Sequence, residues 1–559
     1  MAHVTNSILI ENARLIDGTG APEQRGAVAV VDGRITAVGP GVGPADAPES
    51  ARRIDARGRV VAPGFIDVHT HFDPQLCWDR LATPALEHGV TTVLAGNCSL
   101  SLAPVRAEDR RPLACMFRQI EDIPLATFEV AVPWSWESYG EWLEFIRPGL
   151  GINVAGLVGH SPLRHFVMGA AAQERAATED EIASMSRVLR EAIRAGAAGL
   201  STSYVDSDEN MRPVASRYAT RDEIIALGRA MAEEGRGLIQ TVPLFFMPEA
   251  QLQNMRDMAE ISRQTGLMCS VAPIVHSPYT TLAADSLKLL EEEAATGAKL
   301  FGQSMPRPFD INIRLAATSF VLYAMPAWAA IMRLPLAERL EAFGDTAQRE
   351  ALRNQSVLLG PAWNHLVLSR AATPAHRALE GRLLREIATE RGVHPVDAWL
   401  DIACAEELQT EICLRGMIHS DPAGVAGILQ HPLIHIGASD AGAHIAQFCG
   451  SGDTSWLLGH WVRELGVMSL ERAVHRLTGE LADAFGIRGR GRLEPGLAGD
   501  LVLFDAATID RGDEEFVKDV PGGASRYLRH ARGIDCVAVG GSVVWENGAY
   551  TEARSGTLV

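Results

Sequence analysis

The chain has 559 residues, 47% of them hydrophobic and 21% charged, enough to bury a large core in one large domain plus a satellite, or in two or three domains. Its formal charge of −18 argues against nucleic acid and anionic membranes as partners, because binding phosphate needs clustered lysines and arginines. The sequence has no signal peptide pattern and no stretch of about 18 apolar residues. The eight cysteines are scattered rather than spaced as a disulfide scaffold, so we expect a protein of the reducing cytoplasm.

Both ends of the chain predict short β-strands. Near the N terminus, Asp32-Gly33 lies between two β-rich runs and predicts a tight hairpin, because such a turn needs positive φ. Near the C terminus, DLVLFD predicts a strand and Gly540-Gly541 a second hairpin. Neither end is long enough to bury a sheet alone. We therefore predict that residues 1–62 and 481–559 fold together into one small β-sandwich domain, with two independent β-extensions as the alternative.

The middle of the chain, residues 63–480, alternates short apolar runs with helical segments. Several runs are apolar on both faces, which is typical of strands in a helix-covered parallel sheet. Thr178 with Glu181, and Thr220 with Glu223, have the spacing of capping boxes and predict helix N termini. Eight strand–helix units predict an α/β fold, a TIM-like (β/α)8 barrel, with an open doubly wound sheet as the alternative. The predicted strands are residues 65–71, 91–98, 152–160, 199–203, 237–242, 268–273, 299–305 and 434–440.

One interval is too long for a plain connection between barrel elements. Residues at about 306–375 follow the seventh predicted strand and include the apolar run FVLYAMPAWAAIM, which favours helix. We predict that this interval is an insertion that forms a lid or wall beside the site.

The sequence FIDVHTHFD, residues 65–73, gives the sharpest indication of chemistry. On a strand, residues i and i+2 point to the same face, so His69 and His71 would both face the barrel axis at the carboxyl end of the first strand. Two neutral imidazoles at this spacing are natural ligands for Zn²⁺ or a similar divalent metal. Two histidines that merely end a strand are the alternative.

Three further side chains end predicted strands, where a barrel places its catalytic groups. Asp440 could bind the metal and transfer protons, or cap a helix. Cys98 could supply a thiolate ligand, or be a small buried hydrophobe. His160 could polarise the substrate carbonyl, bind metal, or hydrogen-bond a loop. We assign Asp440 and Cys98 to the metal site, and Asp440 and His160 to catalysis.

Several of these segments resemble one protein family. PGFIDVHTHFD, the terminal β-strands and the Ser-Asp pair near residue 440 resemble the amidohydrolase superfamily. GNCS, GLVGHSPLR and GASDAGAH resemble more closely its N-acyl-D-amino-acid deacylase, or D-aminoacylase, branch. The resemblance runs along nearly the whole chain. It implies a (β/α)8 barrel with a small β-sandwich built from both chain ends, and a long insertion late in the barrel.

The resemblance also implies roles for individual residues. His69 and His71 would bind one metal position, Cys98 would bind or bridge the other, and Asp440 would be the catalytic carboxylate. The family supplies two further metal-binding histidines at the ends of strands five and six. Here the fifth strand reads GLIQTVPLFF, without histidine, and His276 lies beyond the family's position on the sixth. We therefore expect one divalent metal, zinc by preference, with two metals as the alternative.

The predicted function is hydrolysis of the C–N bond of a small-molecule amide, with a metal-activated water as the nucleophile and Asp440 as general base and acid. We assign three residues to substrate binding. Arg307, after the seventh strand, could offer its guanidinium to a carboxylate, and Tyr204 and His444 follow the fourth strand and Asp440.

Other functions stay open at this point. The same fold could hydrolyse a cyclic amide, a lactone or another non-peptide substrate. A non-catalytic homologue without a full metal site is a second alternative. A nucleotide-binding enzyme with an open sheet ranks last, because the chain has neither a G-x-G-x-x-G pattern nor a P-loop between a strand and a helix. The sequence leaves the oligomeric state open, a homo-oligomer included.

Overall fold

The computed structural model describes residues 6–245, 247–323 and 325–559, except the side chains of 357–359. Its centre is a barrel of eight parallel strands that pair in chain order. Beyond the first and last strands, a parallel bridge joins Thr70 to Ala441, and the His71 N–H donates to the Ala441 carbonyl at 2.7 Å. The predicted (β/α)8 barrel is confirmed. Its strands are β1 Phe65–Asp67, β2 Val90–Ala95, β3 Asn153–Gly159, β4 Gly199–Ser203, β5 Leu238–Val242, β6 Met268–Val271, β7 Leu300–Ser304 and β8 Ile434–Ile436.

Helices surround the barrel and connect its strands. Their apolar faces and the outer faces of the strands form one large core. The helices are Arg110–Glu121, Leu125–Ala131, Tyr139–Ile146, His160–Met168, Glu179–Ala195, Arg221–Glu233, Pro248–Thr265, Leu282–Ala295, Pro422–Gln430, Asp453–Trp456, the π-helical Leu457–Glu464, Leu470–Leu477 and Gly479–Phe485. Among the described residues, no helix combines the length and apolar character that crossing a bilayer requires.

The two predicted capping boxes have different outcomes. Thr178 and Glu181 form the reciprocal box at the start of their helix, as predicted. At the other helix, the Thr220 hydroxyl accepts a hydrogen bond from the Glu223 N–H at 3.2 Å, but no reciprocal bond forms. The Glu223 carboxylate is instead buried against the side chains of the helix that follows β3. The second capping box is therefore only half formed, because its carboxylate has stronger partners inside the protein.

Strands from both chain ends form one nine-stranded sheet, which confirms the small β-domain built from both ends. The N- and C-terminal parts meet where Val60–Pro63 pairs antiparallel with Leu501–Phe504. Both predicted hairpins form, with positive φ at Asp32-Gly33 (49° and 80°) and at Gly540-Gly541 (51° and 72°). The other strands of this sheet are Ile8–Leu15, Gln24–Val31, Arg34–Gly39, Arg52–Asp55, Ile534–Val539, Ser542–Glu546 and Ala549–Tyr550, and a separate hairpin comprises Asp510–Val520 and Ala524–Arg532.

The segment between β7 and β8 has a hydrophobic core of its own, in which Trp328 and Trp399 stack with their ring centroids 5.2 Å apart. A three-stranded antiparallel sheet has Glu411–Leu414 as its central strand. This segment therefore extends further toward the C terminus than the predicted interval 306–375. Its other strands are Ile311–Arg314 and Leu366–Arg370, and its helices are Phe320–Tyr323, Pro326–Met332, Leu336–Gly344, Thr346–Gln355, Leu384–Arg391 and Pro395–Ala405.

Candidate active site

A cavity of about 310 Å³ opens at the carboxyl ends of the barrel strands. Its volume lies in the range of ordinary small-molecule sites. Four residues predicted to act at a site line it: His69, Cys98, Asp440 and His444. The rest of the lining comes from the end of the helix Arg110–Glu121, from the loops after β4, β5 and β6, and from the segment between β7 and β8.

His69 is held by two amides from neighbouring strands. Gln303 on β7 places its Oε1 3.2 Å from His69 Nδ1, and the Gln240 Nε2 on β5 lies 2.9 Å from the same nitrogen. The Gln240 amide also donates to Gln303 Oε1 at 3.3 Å, so the two amides position each other. With Nδ1 occupied in this way, the imidazole presents its Nε2 to the cavity.

His71 is oriented by a carboxylate. Glu121, which ends its helix, places Oε1 3.1 Å from His71 Nδ1, and both side chains are 1% exposed. A carboxylate beside Nδ1 favours the tautomer with its proton on that atom, which leaves the Nε2 lone pair free. Burial, with the nearby charges of Asp206 and Asp440, raises the pKa of Glu121 well above its ordinary value. Burial also lowers the pKa of His71, which keeps the ring neutral.

The two Nε2 atoms, a thiol and a carboxylate come together at one point. Cys98 Sγ lies 3.5 Å from His69 Nε2 and 3.7 Å from His71 Nε2. Asp440 Oδ1 lies 3.1 and 3.7 Å from the same two nitrogens. Cys98 and Asp440 both adopt left-handed backbone, with φ of 51° and 54°, which is uncommon for residues other than glycine and recurs at functional sites. Nothing in the sequence predicted this backbone geometry.

This donor set fits a divalent zinc-like ion. Zn–N bonds of about 2.0 Å and Zn–S bonds of about 2.3 Å put neighbouring ligand atoms of a tetrahedral site about 3.3–3.8 Å apart. The ligand atoms of His69, His71 and Cys98 all lie within 4.8 Å of one another. Burial raises the pKa of the Cys98 thiol well above its ordinary value. Burial alone would also raise the pKa of Asp440, but the neighbouring imidazoles outweigh it and hold that pKa well below its ordinary value.

His160, predicted to act in catalysis, does not reach the cavity. Its side chain is fully buried, with Nε2 2.9 Å from Glu223 Oε1 and Nδ1 3.1 Å from Thr202 Oγ1. Glu223 also pairs with the fully buried Arg164. Because both ring nitrogens have partners inside the protein, His160 supports the helix packing around β3 and has no free atom for a substrate. The structure therefore places His160 away from the cavity that His69, Cys98 and Asp440 line.

The structure also does not bring two of the three predicted substrate contacts, Arg307 and Tyr204, to the cavity. Arg307 is buried, pairs with Asp453 at 2.8 Å and donates to the Ser439 carbonyl at 2.9 Å. Its guanidinium is therefore already committed and does not line the cavity. Tyr204 packs against the barrel core, with its hydroxyl 3.9 Å from the Met258 sulfur.

The third predicted contact, His444, does line the cavity. Its ring packs against Phe320 at 5.2 Å between centroids, and its backbone N–H donates to the Glu121 backbone carbonyl at 2.6 Å. Burial lowers the pKa of His444 to about 4, so the ring is neutral at pH 7. His276 lies elsewhere: its Nε2 is 3.9 Å from Asp421 Oδ2, and its N–H donates to the His419 ring.

Sequence reasoning missed four polar residues at this site: Glu121, Asp206, Gln240 and Gln303. Gln240 and Gln303 interrupt the apolar strands GLIQTV and KLFGQSM, and a lone amide in such a run is a signal for an inward polar group. Asp206 follows the fourth strand, which is also a catalytic position in a barrel. Glu121 ends an amphipathic helix, and no sequence feature distinguished it from a surface glutamate.

Comparison with known proteins agrees with this geometry. The model of the Amidohydrolase family matches residues 52–545. A D-aminoacylase from Alcaligenes xylosoxydans xylosoxydans is 32% identical over 560 residues, which cover 99% of this chain and 97% of that protein.

Two solved structures are similar over the whole chain. One is a D-aminoacylase described as having a binuclear metal center, with one-metal activation and second-metal attenuation; it is 28% identical, with 99% of both chains covered and a TM-score of 0.66. The other is an N-acyl-D-glutamate deacylase from Bordetella bronchiseptica in complex with zinc and a phosphonate mimic of the tetrahedral intermediate; it is 26% identical, with 99% of both chains covered and a TM-score of 0.63. The chain belongs to the amidohydrolase family, in the company of D-aminoacylases, and is a hydrolase of carbon–nitrogen bonds other than peptide bonds.

Proposed function

We propose that this protein is a metal-dependent hydrolase that cleaves the amide C–N bond of a small N-acyl compound. The observation that carries the proposal is the convergence of His69 Nε2, His71 Nε2, Cys98 Sγ and Asp440 Oδ1 beside a cavity of substrate size. The zinc and the phosphonate described for the N-acyl-D-glutamate deacylase relative support the same chemistry.

We propose one divalent ion, zinc by preference, held by His69, His71, Cys98 and Asp440. When bound there, the ion would supply Lewis-acid activation of water and of the substrate carbonyl. A single ion is favoured because β5 offers Gln240 rather than a histidine, and because His276 is engaged away from the cavity.

The residues of this chain would supply orientation and proton transfer. The amides of Gln240 and Gln303 fix the ring of His69, and Glu121 fixes the ring of His71. The Asp440 carboxylate, beside His69 and His71 and in the cavity lining, is placed to accept the proton of the attacking water and to return it to the leaving nitrogen. The buried cavity would exclude competing water from the reacting carbonyl.

The test combines metal analysis with turnover of N-acyl amides. Protein from zinc-supplemented medium should contain about one equivalent of metal. It should hydrolyse members of a panel of N-acyl amides. Asp440→Asn should lower kcat by at least about 1,000-fold, because it removes the only proton acceptor we assign. Asp222→Asn, the same change at an exposed residue outside the cavity lining, is the control.

A hydrolase of cyclic amides or lactones would show its preference when such rings are included in the panel. Metal-free protein that cleaves nothing would favour the non-catalytic homologue. Near-normal turnover by Asp440→Asn on a genuine substrate would refute the proposed role of that carboxylate.

A further inference from the structure

We propose that the substrate is a neutral amide with apolar substituents and no free carboxylate. This inference rests on the proposed amide hydrolysis and names its substrate class. It differs from the N-acyl-D-glutamate for which one relative is named, since that compound carries two carboxylates. The argument depends on what lines the cavity, on where the nearby guanidinium groups are used, and on the signs of the charges that face the substrate.

The first step is the absence of a cationic side chain for a substrate carboxylate to pair with. Among the described residues, no lysine or arginine lines the cavity. A carboxylate taken from water into a buried site needs a cationic or multiple hydrogen-bonding partner, since otherwise it loses its hydration without compensation. Among the described residues of the lining, the other basic side chains are those of His69, whose Nε2 lies beside Asp440, and His444, whose ring packs against Phe320.

The second step is that the guanidinium groups around the cavity are committed elsewhere. Arg307 pairs with Asp453 at 2.8 Å, behind the loop that carries Asp440. Arg217 donates to the backbone carbonyls of Val205 and Asp206 at 3.0 and 3.2 Å. Neither Arg307 nor Arg217 lines the cavity.

A third guanidinium, that of Arg118, is on the helix that leads to Glu121. It pairs with Glu209 at 2.6 Å, and neither residue lines the cavity. The Arg118 guanidinium is therefore paired outside the cavity and contributes no cationic side chain to its lining.

The third step is the sign of the charges that do face the cavity. Asp206 and Asp440 contribute acidic side chains to its lining, beside Glu121, whose carboxyl faces His71 Nδ1. Asp206 Oδ2 is buried and accepts no hydrogen bond from any described residue. Such an oxygen is suited to a donor on the substrate, for example an amide N–H, and it would repel a carboxylate at the same position.

The fourth step is the apolar wall that faces these groups. Phe309, Phe320 and Tyr323 come from the segment between β7 and β8, while Leu244 and Phe245 come from the loop after β5. Aromatic and aliphatic side chains of this kind gain most from an aryl or branched alkyl substituent. Apolar walls, an unsatisfied acceptor and the missing cationic side chain all favour the same neutral substrate.

The experiment compares three compounds with one skeleton. N-acetylphenylalanine carries a carboxylate, N-acetylphenylalaninamide replaces it with a neutral amide, and N-acetyl-2-phenylethylamine lacks it altogether; both enantiomers of the first two are used. With the zinc-loaded protein, we expect kcat/KM for release of the amine to be about 100-fold or more higher for the neutral compounds, because a buried unpaired charge is that costly. Equal or higher kcat/KM for the free acid would overturn the inference and leave the proposed function intact.

Binding keeps the two proposals distinguishable if none of the three compounds is hydrolysed. That result counts against the proposed function on this panel, and titration calorimetry with the same compounds then decides the substrate class. Tighter binding of the neutral compounds supports the inference, and tighter or equal binding of the free acid overturns it.

Two variants connect the selectivity to named side chains. Asp206→Asn should narrow the preference for neutral over anionic compounds by about 10-fold, since it removes a like charge. Met211→Arg, which adds a cation to the lining, should narrow it further. Asp222→Asn is the control, with an exposed side chain outside the cavity. A purely structural effect would lower kcat/KM for all three compounds alike, and an unchanged ratio in both cavity variants would refute the assignment.

Discussion

Two histidines of this barrel occupy similar positions at strand ends but have different hydrogen-bond partners. His71 and His160 both come at the carboxyl end of a strand, and each has a buried glutamate beside its ring. Glu121 touches only Nδ1 of His71, which leaves Nε2 for the cavity side. His160 has Glu223 on one nitrogen and Thr202 on the other. A histidine at a strand end is therefore a candidate for chemistry only when one ring nitrogen lacks a partner inside the protein.

The first way to test this comparison is to remove each histidine. His71→Asn should abolish stoichiometric metal binding and lower kcat by at least about 1,000-fold, because the site loses a ligand and its orientation. Metal content by elemental analysis and turnover would be measured together. His460→Asn, at a surface ion pair with Glu464, is the matched control and should retain both. Full metal occupancy in His71→Asn would contradict the ligand assignment.

The second test removes the buried charge beside His160. Glu223→Gln should lower the free energy of unfolding by about 3–5 kcal/mol, because it leaves the fully buried Arg164 without its counter-charge. Denaturant unfolding measures this change. Glu233→Gln, on the same helix but at an exposed pair with Arg190, should cost at most about 1 kcal/mol. Metal content should stay unchanged in both variants, and its loss in Glu223→Gln would mean that the two regions are coupled.

A smaller effect is expected at the other glutamate. Glu121→Gln should weaken metal affinity by about 10- to 100-fold, because the amide holds the His71 tautomer less firmly than a carboxylate does. Competition with a chromophoric chelator would measure the affinity. Glu129→Gln, on the next helix and exposed, provides the control. If Glu121→Gln lowered the free energy of unfolding and left metal affinity unaltered, Glu121 would support stability, as Glu223 does, and would not orient a metal ligand.

The smallest effect is a dependence of stability on pH. Burial alone would raise the pKa of Glu223, but its bonds to His160 and Arg164 outweigh burial and lower it below the ordinary 4.5. A carboxyl whose pKa is lower in the folded state contributes stability above its unfolded pKa and loses that contribution as pH falls through the folded pKa. The free energy of unfolding of the wild type should therefore fall more steeply below about pH 4.5 than that of Glu223→Gln. If the free energy of unfolding changed with pH in the same way for the two proteins, Glu223 would make no such contribution to stability.

The local features were within reach of the sequence. The spacing of His69 and His71, the Asp-Gly and Gly-Gly hairpins and the eight apolar runs depend on backbone periodicity and turn geometry, which neighbouring residues decide. Cys98 and Asp440 could be found because a barrel gathers the ends of its strands at one edge. By the same rule His160 looked equally good, since periodicity says where a side chain starts and not which atoms it meets.

What only the tertiary structure decided are the partners that come from distant segments. Gln240 and Gln303 meet His69 across the barrel, and Glu121 arrives from a helix whose sequence resembles any amphipathic helix. Arg307 forms an ion pair with Asp453, 146 residues away, and does not line the cavity. The sequence determined by itself the barrel and the His69–His71 pair, because those depend on short-range spacing. Long-range packing decided which nitrogens stay free and which charges face the cavity, because a buried polar group pairs with whatever partner the fold brings to it.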